Sequence, residues 1–170
     1  MSDRLTTNSI AFIGLCNEYC TLLEQSESTT RSQFVADMLR LLPRIYISAT
    51  DLNVDGADYD TYIESALEED YYDSIRRDIE SLMGHEDVYL EVFEDDMKYS
   101  DTPIAASISE GLADIFQALY NFLAMVKDSP EEIIISAIAA IKEDFAAYWS
   151  QTLCNVQRAL NHLRYNDTED

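Results

Sequence analysis

The stretch that most constrains this chain is its last long segment, Ser129 to Tyr165. There Ile134, Ile138, Ile141, Phe145, Trp149, Leu153, Val156, Leu160 and Leu163 recur at steps of three and four. The eight steps between these nine positions sum to 29 residues, a mean near 3.6, which keeps the stripe on one side of a straight helix without coiled-coil winding. Such a helix is roughly 50 Å long at about 1.5 Å per residue and needs apolar partners along its whole length. A chain of 170 residues with 47% apolar residues supplies them within one domain, residues 1–170. Glycine and proline number only 4 and 3, which favours helices joined by short turns over a sheet protein. The expected fold is all-α: a bundle of about five long helices plus a short extra element, ending in an antiparallel hairpin.

The stripes divide the chain. Phe12, Leu15, Tyr19 and Leu22, widened by Ile13, Cys16, Cys20 and Leu23, predict a first helix over Asn8 to Gln25. Thr30-Arg31-Ser32-Gln33 matches a capping box, and Val35, Met38, Leu42 and Ile45 form the inward face of a second helix. Pro43 removes a backbone donor inside that pattern and predicts a kink or an early stop. A third helix is expected from about Tyr59 to Met83 on Ile63, Leu67, Tyr71, Ile75, Ile79 and Leu82, closed by a left-handed Gly84. His85 to Ser100 is irregular, aromatic and acidic, and reads as a short helix plus connector packed on the bundle. Asp101-Thr102-Pro103 is the expected cap of a fourth helix, Ile104 to Lys127, whose Ala105, Ala106, Ser107, Ser109 and Gly111 make it thin enough for a close neighbour. Ser129-Pro130-Glu131-Glu132 is the expected cap of the fifth. The fourth and fifth helices should therefore pack antiparallel, with Ile108, Ile115, Leu119 and Phe122 against Ile134, Ile138, Ile141 and Phe145.

Charge narrows the function classes. The formal net charge is −22, and −15 of it falls between Asp51 and Asp101, where eighteen acids face Arg76, Arg77 and Lys98. An anionic surface repels phosphate backbones and anionic lipid head groups, so neither nucleic acid nor membrane is an expected partner. The three cysteines, Cys16, Cys20 and Cys154, have neither disulfide-scaffold nor zinc spacing and read as small core residues. Met1 to Cys20 does not read as a signal peptide, and no apolar run reaches the roughly 20 residues of a membrane span. The expected location is the cytoplasm.

Candidate chemistry is thin. Asp51-Leu52-Asn53-Val54-Asp55-Gly56 matches the first half of a calcium loop, but position eight is Asp58 and position twelve is Tyr62 where a bidentate Glu belongs. The segment reads as a turn with no physiological calcium affinity. Glu68, Glu69, Asp70 and Asp73 form a carboxylate row on the third helix, which reads as a solvated face. Neither His85 nor His162 has a Glu three residues before it, so a carboxylate-bridged metal bundle is not expected. His162, Arg158 and Arg164 give the end of the last helix its basic character, suited to a helix C-terminus or to facing the acidic middle of the same chain or of a second copy. No Gly-rich phosphate loop, GxSxG, HExxH or CxxC occurs, and neither catalytic residue, metal nor cofactor is expected.

Asn17-Glu18-Tyr19-Cys20, Tyr89-Leu90-Glu91-Val92-Phe93, Tyr99-Ser100-Asp101-Thr102-Pro103, Gly111-Leu112-Ala113-Asp114-Ile115 and Tyr148-Trp149 followed by Asn155 to His162 together mark a likeness. The chain resembles a family of short, acidic, all-helical bacterial proteins known only as a domain of unknown function. The resemblance implies a cytoplasmic helical protein and carries over no activity, substrate or catalytic residue. The expected function is an interaction or regulatory module without catalysis, with a protein partner of cationic character. Two rivals are a small-ligand-binding or enzymatic bundle with a cleft near residues 89–101, and an acidic mimic of nucleic acid.

Overall fold

The computed structural model describes residues 5–54, 57, 60–91 and 104–166. They form α1 (Thr7–Glu24), α2 (Arg31–Thr50), α3 (Glu69–Met83), β1 (Val88–Glu91), β2 (Ile104–Ser107), α4 (Ile108–Val126), α5 (Glu131–Asp144) and α6 (Ser150–Asn166). A π turn, Phe145–Trp149, joins α5 to α6 without a break, so the long C-terminal helix exists as one rod. The described residues form a mostly helical bundle of five helical rods with one two-stranded hairpin.

The central element is α4, which packs against α1, α3, α5 and α6. Its buried residues include Ile108, Leu112, Ile115, Phe116, Leu119 and Phe122, all at 0% exposure, so it is wrapped on nearly every side. The small residues of its first half do what a thin helix allows. A Cβ built on Gly111 would lie 2.4 Å from Val156 Cγ1, so α6 crosses α4 at a distance only glycine permits. Tyr19 of α1 donates its hydroxyl to the Leu112 carbonyl at 2.6 Å, so this fully buried phenol is not left unsatisfied.

Helices α1 and α2 run as the stripes predict. Thr6 caps α1 by accepting from the Ser9 amide, and Thr30 caps α2 by accepting from the Gln33 amide at 3.2 Å. The Gln33 side chain bonds Asp37 instead of reaching back, so only half of the capping box forms. Pro43 does not stop α2, which continues to Thr50. The buried Leu42, Ile45 and Ala49 on either side of it hold the helix through the missing hydrogen bond. Asn8 and Ser48 then tie the start of α1 to the end of α2 with a reciprocal pair of bonds at 3.0 and 2.9 Å.

Several expectations fail locally. The third helix begins ten residues late, at Glu69, because the Asn121 side chain of α4 accepts from the Ala66 and Leu67 amides at 2.9 and 2.8 Å. Those two donors are thereby held outside helical geometry, and Leu67 is still buried in the core. Ile104 to Ser107 is strand, not helix, and pairs antiparallel with Val88 to Glu91 in the register Val88 to Ser107. The cap of α4 is thus Ser107, which accepts from the Glu110 amide at 3.2 Å; the expected cap at Asp101 to Pro103 lies outside the described residues. Ahead of α5, Pro130 occupies the cap position while the Ser129 hydroxyl donates back to the Met125 carbonyl at 2.7 Å. Asp128 takes a φ of 54°, a left-handed turn that an aspartate tolerates, and α4 reverses into α5 there. In α5 the inward position belongs to Ile135 and Ile134 is half-buried, since residues 135–141 are buried all round. Gly84 closes α3 at φ 64° and ψ −140°, a region open to glycine alone.

Candidate functional site

Glu68, Glu69 and Asp70 lie exposed at the start of α3, where carboxylates also meet the positive end of the helix dipole. Asp73 is half-buried and pairs with Arg77 at 3.9 Å, while Arg76 pairs with Glu80. The two arginines of α3 are thus engaged by carboxylates of the same helix, and Glu68, Glu69 and Asp70 make no ion pair among the described residues. On its inner side α3 is clipped by tyrosines. Tyr72 donates to Asp114 of α4 at 2.6 Å, and Tyr71 donates to Glu24 of α1. Burial, followed by these hydrogen bonds to carboxylates, pushes both phenols well above their ordinary range. Neither clip was expected, because nothing in local spacing reports a partner more than forty residues away.

Asp87, just after α3, is buried to 4% exposure, yet its charge is met. Its two carboxylate oxygens accept from the Ser109 amide at 2.8 Å and the Ser109 hydroxyl at 2.6 Å, at the positive end of α4. This carboxylate is a fastener for the hairpin and α4, with no reactive partner.

Cys16 and Cys20 are buried, and burial pushes both thiols up, Cys20 to about 12. They are core residues, protonated and inert at neutral pH. Cys154 is not: it is exposed, because one residue along a helix turns by about 100° and takes it off the Leu153 and Val156 stripe. His162, eight residues on, lies about 12 Å further along the same helix, so the pair cannot act as nucleophile and base. His162 itself meets Asn166, and His85 is exposed beside Glu86 at 3.6 Å. No group of three or more His, Cys, Asp or Glu among the described residues is arranged to hold a metal ion. Asp55, Gly56 and Asp58 of the calcium-like loop lie outside the described residues; its flank is anchored by buried Leu52, whose carbonyl accepts from Lys142 of α5.

Grooves mark the surface among the described residues. One, of about 510 Å³, lies between α1 and α2 and is polar: Asn17, Glu18, Asp37, Arg40 and Arg44 line it, and Glu18 pairs with Arg44 at 3.4 Å. A second, of about 510 Å³, lies between β1 and α6, with Val88, Tyr89 and Leu90 on one side and Arg158 and His162 on the other. A third, of about 470 Å³, separates α2 from α6, with Tyr46 and Ile47 facing Leu153, Cys154 and Arg158. A cleft at the start of the 89–101 segment therefore exists. Its walls carry a tyrosine and a carboxylate, Tyr89 and Glu86, beside the aliphatic Val88 and Leu90 and the cationic Arg158.

The described residues thus define a small acidic helical bundle with surface grooves and without an assembled catalytic set among them. The chain belongs to the family described as a domain of unknown function, DUF5063, whose sequence model matches residues 3–166. Its fold is similar to the crystal structure of a protein from Bacteroides fragilis, with a TM-score of 0.82, 31% identity, and 96% of each chain covered. No curated protein matches the sequence. Among the residues that marked the family likeness, Tyr19, Gly111 and Asp114 are accounted for by packing and by the hydrogen bonds above, whereas Asn17, Glu18, Tyr89, Leu90, Arg158 and Asn161 line grooves. No helix among the described residues is long and apolar enough to cross a membrane.

Proposed function

We propose that this protein is a cytoplasmic interaction module without chemistry of its own, which captures a cationic protein partner on the outer face of α3. The supporting observation is the split of charge on that helix: Arg76 and Arg77 are engaged internally, while Glu68, Glu69 and Asp70 stand exposed at one end and make no ion pair among the described residues. Exposed carboxylates of this kind add steering and on-rate more than tight affinity. A phosphate-backbone mimic would want an unbroken carboxylate array, and the two arginines interrupt this one.

The test is a pull-down from native cytoplasm followed by kinetics on the captured partner. Its association rate is expected to fall several-fold between low and physiological salt, where the Debye length shortens to about 8 Å. Replacing Glu68, Glu69 and Asp70 together by lysine is expected to slow association, with circular dichroism showing that the fold survives the lost helix-dipole stabilisation at the start of α3. A rate indifferent to both salt and the triple reversal would leave the charge a role in solubility alone and would overturn the reading.

A further inference from the structure

A second surface has the opposite polarity. The inward residues of α6, Leu153, Val156, Leu160 and Leu163, leave Arg158, Asn161 and His162 facing outward. The grooves on either flank of this helix share Arg158 and Asn161 as their common wall, so the two grooves and the ridge between them make one channel-like surface across α6. Large apolar side chains stand open in both halves: Tyr46 and Ile47 at 38% and 61% exposure on the α2 side, Val88 and Leu90 at 61% and 55% on the β1 side. Single exposed aliphatics are ordinary, but two pairs facing one another across a cationic ridge make a patch.

The ridge is the informative part. In a chain with 33 acids and 11 bases, cations are scarce. Arg44, Arg76 and Arg77 are paired with carboxylates, and Lys142 with a buried carbonyl. Arg158 has no ion pair among the described residues; Glu86, the acid in the channel, sits beside His85. A guanidinium between two apolar recesses fits a carboxylate flanked by apolar side chains, since its planar fork binds carboxylate through two donors. Asn161 beside it supplies one amide donor and one acceptor for a peptide backbone.

We propose that this channel binds an extended segment of a partner protein in the pattern apolar, any residue, acidic, any residue, apolar. In an extended chain, alternate residues share one face, and positions i and i+4 lie about 13 Å apart. A helix with its side chains is about 10–12 Å across, so the two apolar residues reach the two grooves and the central carboxylate meets Arg158. Long nucleic acid is disfavoured at this ridge by the −22 charge of the whole molecule, whereas a single carboxylate between apolar contacts pays little of that repulsion. This site is independent of the α3 face.

The probe is a fluorescein-labelled peptide with leucine, glutamate and leucine at alternate positions between threonines, titrated with the full chain by anisotropy. Saturable binding is expected, weakened about 10–100-fold by glutamate to glutamine in the peptide or by Arg158→Glu in the protein. The Arg158→Glu protein should recover affinity for the peptide with lysine at the centre, and Arg164→Glu, outside the channel, should leave affinity within about twofold. Ile47→Ser and Leu90→Ser should each weaken binding, with unchanged circular dichroism showing that the fold survives. Absence of saturable binding, or binding indifferent to Arg158→Glu without rescue by the lysine peptide, would overturn the proposal. So would a stable dimer that Arg158→Glu and Ile47→Ser dissociate, because the occupant would then be a second copy.

Discussion

The two sides of α4 are held by different means. On the α3 side only Ile75, Ile79 and Met83 of a fifteen-residue helix are buried, and the contact is fastened by polar clips: Tyr72 on Asp114, Tyr71 on Glu24, Asp87 on Ser109, and Asn121 on the chain entering α3. On the α6 side the contact is apolar and close, with Gly111 set against Val156 and Leu153, Val156, Leu160 and Leu163 all buried. The apolar face of α3 is narrow, with Tyr71, Tyr72 and Leu82 only partly buried against the core, and directional bonds add to that packing in locating the helix. The close-packed side has no such need, and its outer surface keeps exposed apolar and cationic groups, available for a ligand.

This difference can be broken at its strongest point. Phe145, at 4% exposure, lies edge-on to Tyr46 of α2 at 5.1 Å and against Trp149 at 4.6 Å. Phe145→Ala is expected to cost about 3–5 kcal/mol by urea denaturation, through transfer and cavity terms together. A loss below about 1 kcal/mol would show that apolar packing does not dominate the C-terminal rod. On the clipped side, Asp87→Ala removes a charged partner from two buried donors and should cost about 1.5–3 kcal/mol, with Asp87→Asn recovering part of it. Equal losses for Ala and Asn would assign the effect to shape instead of hydrogen bonding. Gly111→Ala tests close approach directly. The Val156 methyl must move, and a loss of about 1–3 kcal/mol is expected, partly relieved in the double variant with Val156→Ala.

What was legible in the sequence follows the same division. Close apolar packing writes periodic stripes, so α1, α2, the end of α3, α4 and the C-terminal rod could all be read. Even the π turn left a mark: Ile141, Phe145, Trp149 and Leu153 stand at three consecutive steps of four, and a straight helix would overshoot by about 40° at each. A wider turn absorbs that drift. Polar clips write nothing local. Asn121 delays α3 from 54 and 55 residues away, and no helical pattern around Ala66 betrays it. The hairpin was missed because four residues are too few to show alternation, and because Ile104-Ala105-Ala106-Ser107 has little strand propensity of its own. Cys154 was misplaced by reading sequence neighbours as spatial neighbours. The channel over α6 joins residues of α2, β1 and α6, and only the tertiary fold assembles it.

The smallest expected effect at neutral pH distinguishes the two sides most cleanly. Tyr72 is half-buried, so Tyr72→Phe should cost only about 0.5–1 kcal/mol at pH 7. The phenols of Tyr71 and Tyr72 are raised above their ordinary 10.0, by burial first and by their carboxylate partners second. Each is neutral when protonated, so the folded state holds protons that the unfolded chain has released. Stability is therefore fully present below about pH 10 and is lost as pH rises further. Ionised phenolates would face Asp114 and Glu24, so the α3 side should loosen before the α6 side. Trp149, the only tryptophan, reports on the C-terminal rod, while circular dichroism reports on all helices. At pH 7 the two urea transitions are expected to coincide; at pH 11 the circular dichroism transition should come first. Tyr72→Phe should narrow that gap, since it removes one of the two titrating clips. Coincident transitions at both pH values, or a gap untouched by Tyr72→Phe, would show that the tyrosine clips do not hold α3 in place.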